Sequence, residues 1–400
     1  MNTKLIALIL FALTFGAVAW YPNLDAKTVE IVDPLEQVDI PVNANGQPVI
    51  DVVFVLDTTG SMSGLIQTAK EKIWSIASTM AAAQPTPEIR IGLVGYRDRG
   101  DAYVTKTIDL SGDLDSVYAA LMDFQAGGGG DTPESVNQAL NDAVNKMSWS
   151  DKDQAYQVIF LVGDAPPHMD YQDEMQYPAI IGAARERGIV VNAIQCGDMA
   201  GTIAPWTAIA SLGSGTFFQV EQAGSAVAYT TPFDAELAEL SARLDATRLY
   251  YGSDADKEAA AAKVAATEKL SSLASDEARA RRAAFNVSAA GERNRLGENE
   301  LVDAFAKGEV VLEDLAVEEL PAAIAAMTPE EQHAHVAQLA DERAELQARM
   351  RELAESREDY IRQKVEEDGG AEDSLDQKLY EAIADQARIV GLDYEDGPSY

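Results

Sequence analysis

The chain has 400 residues, 47% of them hydrophobic, which is length and apolar content enough for two domains with cores of their own. Its 66 acidic and 31 basic residues give a formal net charge of −35. The excess is spread evenly: 14 basic and 31 acidic residues precede Ser253, and 17 and 35 follow from there. Such a surface repels nucleic acid and anionic lipid beyond a Debye length of about 8 Å, so nucleic-acid binding is set aside as a function class.

Residues 1–19 read as a secretory leader. Lys4 precedes the apolar run Leu5–Ala19, which closes with the small residues of Ala17-Val18-Ala19. As a helix, fifteen residues reach about 22 Å against a hydrocarbon core of about 30 Å, which favours cleavage after Ala19 over retention as an anchor. Trp20 and Tyr21, residue types that sit at membrane interfaces, are what keeps the anchor reading open. Export to a periplasmic or extracellular space follows, with a membrane tether only if the leader is kept. The single cysteine, Cys196, cannot form an internal disulfide and reads as a buried small hydrophobe.

Residues 20–48, with several prolines and the turn signal Asn45-Gly46, read as an extended lead-in. From there strands and helices alternate. Val52–Leu56 is apolar throughout, the mark of a strand buried on both faces of a parallel sheet. A helix is predicted over Leu65–Met80, then strands over Ile89–Tyr96 and Tyr103–Leu110, the latter antiparallel to its predecessor. Helices over Leu114–Phe124 and Ser135–Met147 flank the glycine run Gly127–Gly130. Tyr156–Val162 repeats the buried pattern of the first strand. A helix over Tyr177–Arg187, a strand over Ile189–Gln195, a short helix around Trp206–Leu212 and a strand over Thr216–Val220 follow. A long helix from about Ala226 to Leu249 closes the unit. The pattern predicts an α/β fold, a doubly wound and mostly parallel sheet, over residues 49–251.

Residues 252–400 shift to Ala, Glu, Arg and Lys and predict an acidic α-helical region. Ser253–Ala284 is helical in propensity, and a less regular stretch runs to Pro321. Thr328-Pro329-Glu330-Glu331 is a capping box that opens a helix to about Glu367. Its seam Val336, Leu339, Leu346, Met350, Leu353 and Tyr360 is interrupted by Arg343 and Arg357, which predicts an amphipathic helix or an imperfect coiled coil. Leu375–Val390 is a last helix before an acidic tail.

The chemistry-bearing residues fall in separate segments. Asp57-Thr58-Thr59-Gly60-Ser61 ends the first strand, Thr132 follows the glycine run, and Asp164 ends the strand over Tyr156–Val162. In a parallel sheet the first and last of these lie at the carboxyl edge, where open α/β sheets bind ligands, and a glycine loop can fold over to bring in Thr132. The set of hard oxygen donors, with no Lys or Arg from Thr58 to Gln67, points to a small divalent cation in place of a phosphate.

These residues resemble the von Willebrand factor type A family and its metal-ion-dependent adhesion site, an Asp-x-Ser-x-Ser motif followed by a threonine and an aspartate in that order. The resemblance spans Ile50 to about Tyr250; Thr59 replaces the usual serine and keeps the hydroxyl. It implies a Rossmann-like fold and Mg2+, or Mn2+ or Ca2+, held by Asp57, Thr59, Ser61, Thr132 and Asp164. Thr59 and Ser61 would ligate directly, Asp57 and Asp164 partly through water, and Thr132 according to state. It also implies a protein-binding module, not an enzyme, whose partner offers an Asp or Glu carboxylate to the metal.

Two rivals stand beside it. Asp57–Ser61 also looks like the phosphoryl-accepting run of P-type ATPases in the haloacid dehalogenase superfamily, with Asp57 as nucleophile and Gly163-Asp164 and Asp170 as the metal motif. Alternatively, the C-terminal helices carry the function and the α/β unit only positions them. Among lesser signals, Arg99-Gly100-Asp101 reads as a turn despite spelling an integrin-recognition tripeptide. His333 and His335 point to different sides of a helix. His168 is expected to be exposed, and Asn286-Val287-Ser288 is a glycosylation sequon that matters only in a eukaryotic secretory pathway.

Overall fold

The first strand, β1 (Val49–Asp57), is buried along its whole length, and its side chains divide by parity. Ile50, Val52, Phe54 and Leu56 enter one apolar core, Val53 and Val55 a second core on the opposite face. This is what a continuous Val/Ile/Leu/Phe run does when helices cover both sides of a sheet. The computed structural model describes residues 42, 46–130, 132–151, 155–222, 229–371, 374–394 and 397–399. The leader over 1–19, nearly all of the lead-in, Asp131 and the expected start of a helix at Ala226 lie outside the described residues.

A 3-10 turn (Gly60–Met62) leads from β1 into α1 (Ser63–Ala81). Then come β2 (Glu88–Tyr96), β3 (Thr105–Ser111), α2 (Leu114–Leu121), α3 (Val136–Lys146), β4 (Ala155–Gly163), α4 (Tyr177–Glu186), β5 (Ile189–Cys196), α5 (Ala200–Leu212) and β6 (Ser214–Val220). The six strands lie in the order β3-β2-β1-β4-β5-β6. All pairings are parallel except β2 with β3. The doubly wound, mostly parallel sheet expected from the sequence is therefore the observed one. Register aligns Leu56 with Val162 and Asp57 with Tyr96, so Asp57 and the residues after Gly163 emerge side by side at the carboxyl edge.

The helical region that follows comprises α6 (Asp234–Ala246), α7 (Asp254–Leu273), α8 (Asp276–Asn286), α9 (Gly291–Leu296), α10 (Leu301–Ala306), α11 (Pro329–Glu367) and α12 (Leu375–Arg388). Most extents shift by three residues or fewer, and three differ more. Helix α5 starts earlier, at Ala200, with Pro205 inside it. Helix α6 starts only at Asp234, because Pro232 has no N–H to give a helix and disfavours helical backbone before it, while the Asp234 carboxylate takes the Thr231 N–H at 2.6 Å. The propensity run from Ser253 to Ala284 breaks in two where Ser275 caps α8, its side chain accepting from the Ala278 N–H.

The helices are not a free spacer. Leu379 and Ile383 of α12, with Leu392 and Tyr394 of the tail, complete the core on the α1 face of the sheet. Each such apolar side chain contributes about 1.5–3 kcal/mol on burial. The Gln386 amide accepts from the Tyr156 hydroxyl at 2.7 Å and donates to Asn192 on β5 at 2.7 Å, and Asp393 pairs with Gln84. Helices α6, α8 and α11 share another core through Leu237, Leu244, Ala283, Leu346 and Met350. The capping box at Thr328 is formed as expected. The two arginines on the α11 seam turn inward: Arg343 meets Glu300 at 2.7 and 3.0 Å, and Arg357 meets Asp234 at 2.8 Å. The seam thus packs within the chain. Among the described residues no helix is long and apolar enough to cross a membrane.

Candidate metal centre

Asp57 is wholly buried at the end of β1. Its Oδ1 accepts the Thr59 N–H at 2.8 Å and the Thr59 hydroxyl at 2.6 Å, and the Thr59 Oγ1 lies 3.3 Å from the Ser61 Oγ. The other carboxylate oxygen, Oδ2, is buried and has no hydrogen-bond partner. Thr58 points elsewhere, donating to the Tyr96 carbonyl at 2.8 Å. Asp57 can approach β4 because Gly163 stands opposite. A Cβ there would come within 2.9 Å of the Asp57 Cβ and 2.5 Å of the Tyr96 hydroxyl, closer than any side chain tolerates.

Asp164 follows at the end of β4. Its Oδ2 accepts from the Gln222 amide at 2.8 Å and its carbonyl from the Thr202 hydroxyl at 2.7 Å. The glycine run folds across the first motif as expected: Gly127 donates to the Thr58 carbonyl at 3.1 Å and Gly60 to the Gly128 carbonyl at 3.3 Å. Gly128 and Gly129 take positive φ, which glycine alone adopts freely, and Gly129 lies so close to Thr59 that a Cβ would sit 3.2 Å from it. Thr132 is exposed on the same loop, and among the described residues no hydrogen bond joins its hydroxyl to the other four. The structure therefore gathers Asp57, Thr59, Ser61 and Asp164, while Thr132 is exposed just past the glycine run.

The electrostatics are one-sided. Burial, and then the charge of Asp164, push the Asp57 carboxyl up to about 7. Glu134, buried two residues past Thr132, is pushed up to about 8, first by burial and then by Asp57, Asp98, Asp101 and Asp164. Its Oε2 too is buried without a partner. The nearby Arg97 offers no relief, because it donates to the carbonyls of Thr58 and Gln125. Among the described residues no three Asp, Glu, His or Cys side chains are grouped to hold a metal. Any cation here would rely on hydroxyl ligands beside two carboxylates. A buried, unpartnered carboxylate oxygen next to two hydroxyls, within an acidic cluster, fits that donor set.

The sequence alone does not assign Glu134, Asp98, Asp101 or Gln222 to the site. Glu134 had a signal, its place directly after the threonine and just ahead of α3, but an acidic residue before a helix reads equally as a dipole partner. Asp98 accepts from Ser135 and Tyr171, and the Asp101 carboxylate takes the Gly129 N–H at 3.0 Å. The Arg99-Gly100-Asp101 tripeptide is thus structural: Arg99 grips Glu174 and Asp173 and lies over the Tyr171 ring.

His168, expected to be exposed, is buried. It stacks on Tyr171 with its Nε2 3.3 Å from Asp98 and its Nδ1 2.7 Å from Asp170, which pins the loop after β4. The Asp170 carboxylate is thereby held by His168 and stays largely exposed, which does not favour the role the phosphotransfer rival needs. The sequon is also corrected: Asn286 is buried and its side-chain oxygen accepts from Asn294 at 2.6 Å, so no glycan fits there in the folded chain.

A family model described as von Willebrand factor A domain matches residues 51–222. Curated relatives include a putative ariadne-like RING finger protein, R811, of Acanthamoeba polyphaga mimivirus. It is 28% identical over 124 residues, 31% of this chain and 12% of the relative. The alpha-protein kinase vwkA of Dictyostelium discoideum is 28% identical over 120 residues, 30% of this chain and 19% of the relative. The chain thus spans under a fifth of either relative's length. Among solved structures, proximal thread matrix protein 1 from the mussel byssus, with a zinc-occupied MIDAS motif, is 17% identical. It aligns over 46% of this chain and 43% of its own, with a TM-score of 0.35. The SpRpn10 VWA domain is 13% identical, over 43% of this chain and 88% of its own, with a TM-score of 0.34.

Proposed function

Residues 51–222 are a von Willebrand factor A domain, and from that premise we propose that the chain is an exported module that binds a protein partner through a divalent cation at the carboxyl edge of its sheet. The observation that carries this is the buried Asp57 Oδ2, unpartnered beside Thr59, Ser61 and Asp164 in a cluster whose strongest neighbouring charges are negative. Thr59 and Ser61 would hold Mg2+ through hydroxyls, with Asp57 and Asp164 behind them and Thr132 joining from the rim. Bound there, the cation supplies a positive charge that neutral hydroxyls leave incompletely matched, and it attracts a carboxylate from the partner.

Around this position the loops after β4 and β5 expose Met169, Met175, Met199 and the nearby Ile203, between 39% and 55% accessible. Unbranched, polarizable methionines suit contact with varied apolar side chains. The partner surface is therefore an acidic residue flanked by apolar ones. Export rests on the leader-like residues 1–19. Affinity capture with Mg2+, with chelator and with Asp57→Ala tests the reading. Proteins retained only by the wild-type chain in Mg2+ support it, and an identical set under all three conditions refutes it.

A further inference from the structure

The side chain that joins the two loops of the metal centre is a cation. Arg97 follows β2 directly, in a stretch that also holds Asp98 and Asp101, and it is half-buried. Its donors nevertheless go to two carbonyls: Nε to Thr58 at 3.1 Å and Nη2 to Gln125 at 2.7 Å. The guanidinium lies over the Tyr103 ring, 4.5 Å from its centroid, and Gly127 packs beside it. The Tyr103 hydroxyl in turn lies 2.8 Å from the Thr58 Oγ1.

The two carbonyls are the ones that matter to the site. Gln125 stands just ahead of the glycine run. The Thr58 carbonyl belongs to the same planar peptide as the Thr59 N–H, which is given to the Asp57 Oδ1 at 2.8 Å. One rigid unit therefore carries Arg97 and the Gly127 N–H on its oxygen and the Asp57 carboxylate on its hydrogen. Hydrogen bonds in such a chain polarise one another, so a cation on the oxygen makes the N–H a stronger donor to Asp57. The fixed fork of the guanidinium also sets the spacing between the first motif and the glycine run, which a lysine's single ammonium does not do.

We propose, building on the metal-binding reading above, that Arg97 is a positioning residue of the centre. It holds the Thr58–Thr59 peptide and the start of the glycine run in one fixed relation, so that Asp57 and Thr59 are arranged for the cation in advance. The sign of its effect separates this role from plain electrostatics. Arg97 is a positive charge beside a site for a positive ion, and by Coulomb repulsion alone its removal would tighten cation binding. A positioning role predicts the opposite, because the ligands lose their arrangement.

Titration of Mn2+ into the full-length wild type, Arg97→Met and Arg97→Lys, followed by electron paramagnetic resonance of the free ion, tests this. Arg97→Met should weaken Mn2+ by roughly tenfold, as loss of a residue that orients metal ligands does. Arg97→Lys keeps the charge, so electrostatics predicts no change, whereas positioning predicts binding several-fold weaker than wild type. In chelator, the Thr59 amide should exchange its hydrogen faster in both variants while the amides of β4 keep their protection, which separates a loosened site from a loosened fold. Mn2+ binding that is unchanged or tighter in Arg97→Met, or unchanged in Arg97→Lys, would overturn the positioning role alone. A wild-type chain without saturable Mn2+ binding would overturn the metal-binding reading and this role with it.

Discussion

The carboxyl edge of the sheet and the helical layer behind it both bury acidic side chains, and they treat them in opposite ways. In the helical layer Arg282 lies between Asp115 and Asp245, gripping each through two hydrogen bonds of 2.6 to 3.1 Å. Arg343 meets Glu300, Arg357 meets Asp234 and Lys72 meets Asp376. At the edge, Asp57 and Glu134 are buried with carboxylate oxygens left over, and among the described residues none of these oxygens has a hydrogen-bond partner. A chain that places arginines opposite buried acids in one region has the means to do so in the other. An uncompensated buried carboxylate is costly, and in the proposed function a cation from outside supplies the missing charge at the edge.

The sharpest way to break the contrast is to remove a counter-charge from the paired region. Arg282→Met should destabilise the chain by about 3–5 kcal/mol in urea unfolding, because the fully buried Asp115 carboxylate loses its guanidinium partner. The same pair sets an acid limit. Burial alone would raise Asp115, but the charge and hydrogen bonds of Arg282 hold it well below the usual carboxylate range. The wild type should therefore keep this stabilisation above about pH 4, the unfolded value, and lose it as pH falls toward the folded one. Arg282→Met should lose the corresponding acid dependence, measured as unfolding free energy against pH.

At the edge the sign should reverse. Asp57→Asn in chelator should leave stability unchanged or raise it by about 1–3 kcal/mol, since it removes a charge that has no counterpart. Saturating Mg2+ at a hundred times its dissociation constant should stabilise the wild type by about 2.7 kcal/mol and this variant not at all, read from thermal unfolding. The smallest effect belongs to the rim. Met169→Ser with Met199→Ser should weaken partner capture several-fold and leave Mg2+ stabilisation intact.

The contrast also marks what could be read in advance. Strands β1 and β4 declare themselves through uninterrupted apolar runs, and the turn after β1 through its spaced hydroxyls. Elements whose shape depends on distant partners stay hidden. Arg343 and Arg357 look like flaws in an apolar seam until Glu300 and Asp234 are found facing them. His168 looks like a surface residue until Tyr171 stacks on it and Asp98 lies beside it. The last helix and tail look like an acidic appendage, yet Ile383 and Tyr394 finish the core begun at Ile50. Glu134 escapes because its burial is set by the glycine loop and the β4 edge together, through backbone bonds to Pro166 and His168.

The central claim, that the acidic edge is completed by a cation held on hydroxyls, is tested most directly by titrating Mn2+ into the wild-type chain, Asp57→Asn and Thr59→Val. Thr59→Val keeps the charge of the site and removes a hydroxyl, so it separates a built ligand set from general attraction to an acidic surface. One saturable equivalent in the wild type, lost in Asp57→Asn and strongly weakened in Thr59→Val, is the expected result. Equal Mn2+ binding by all three chains would contradict it.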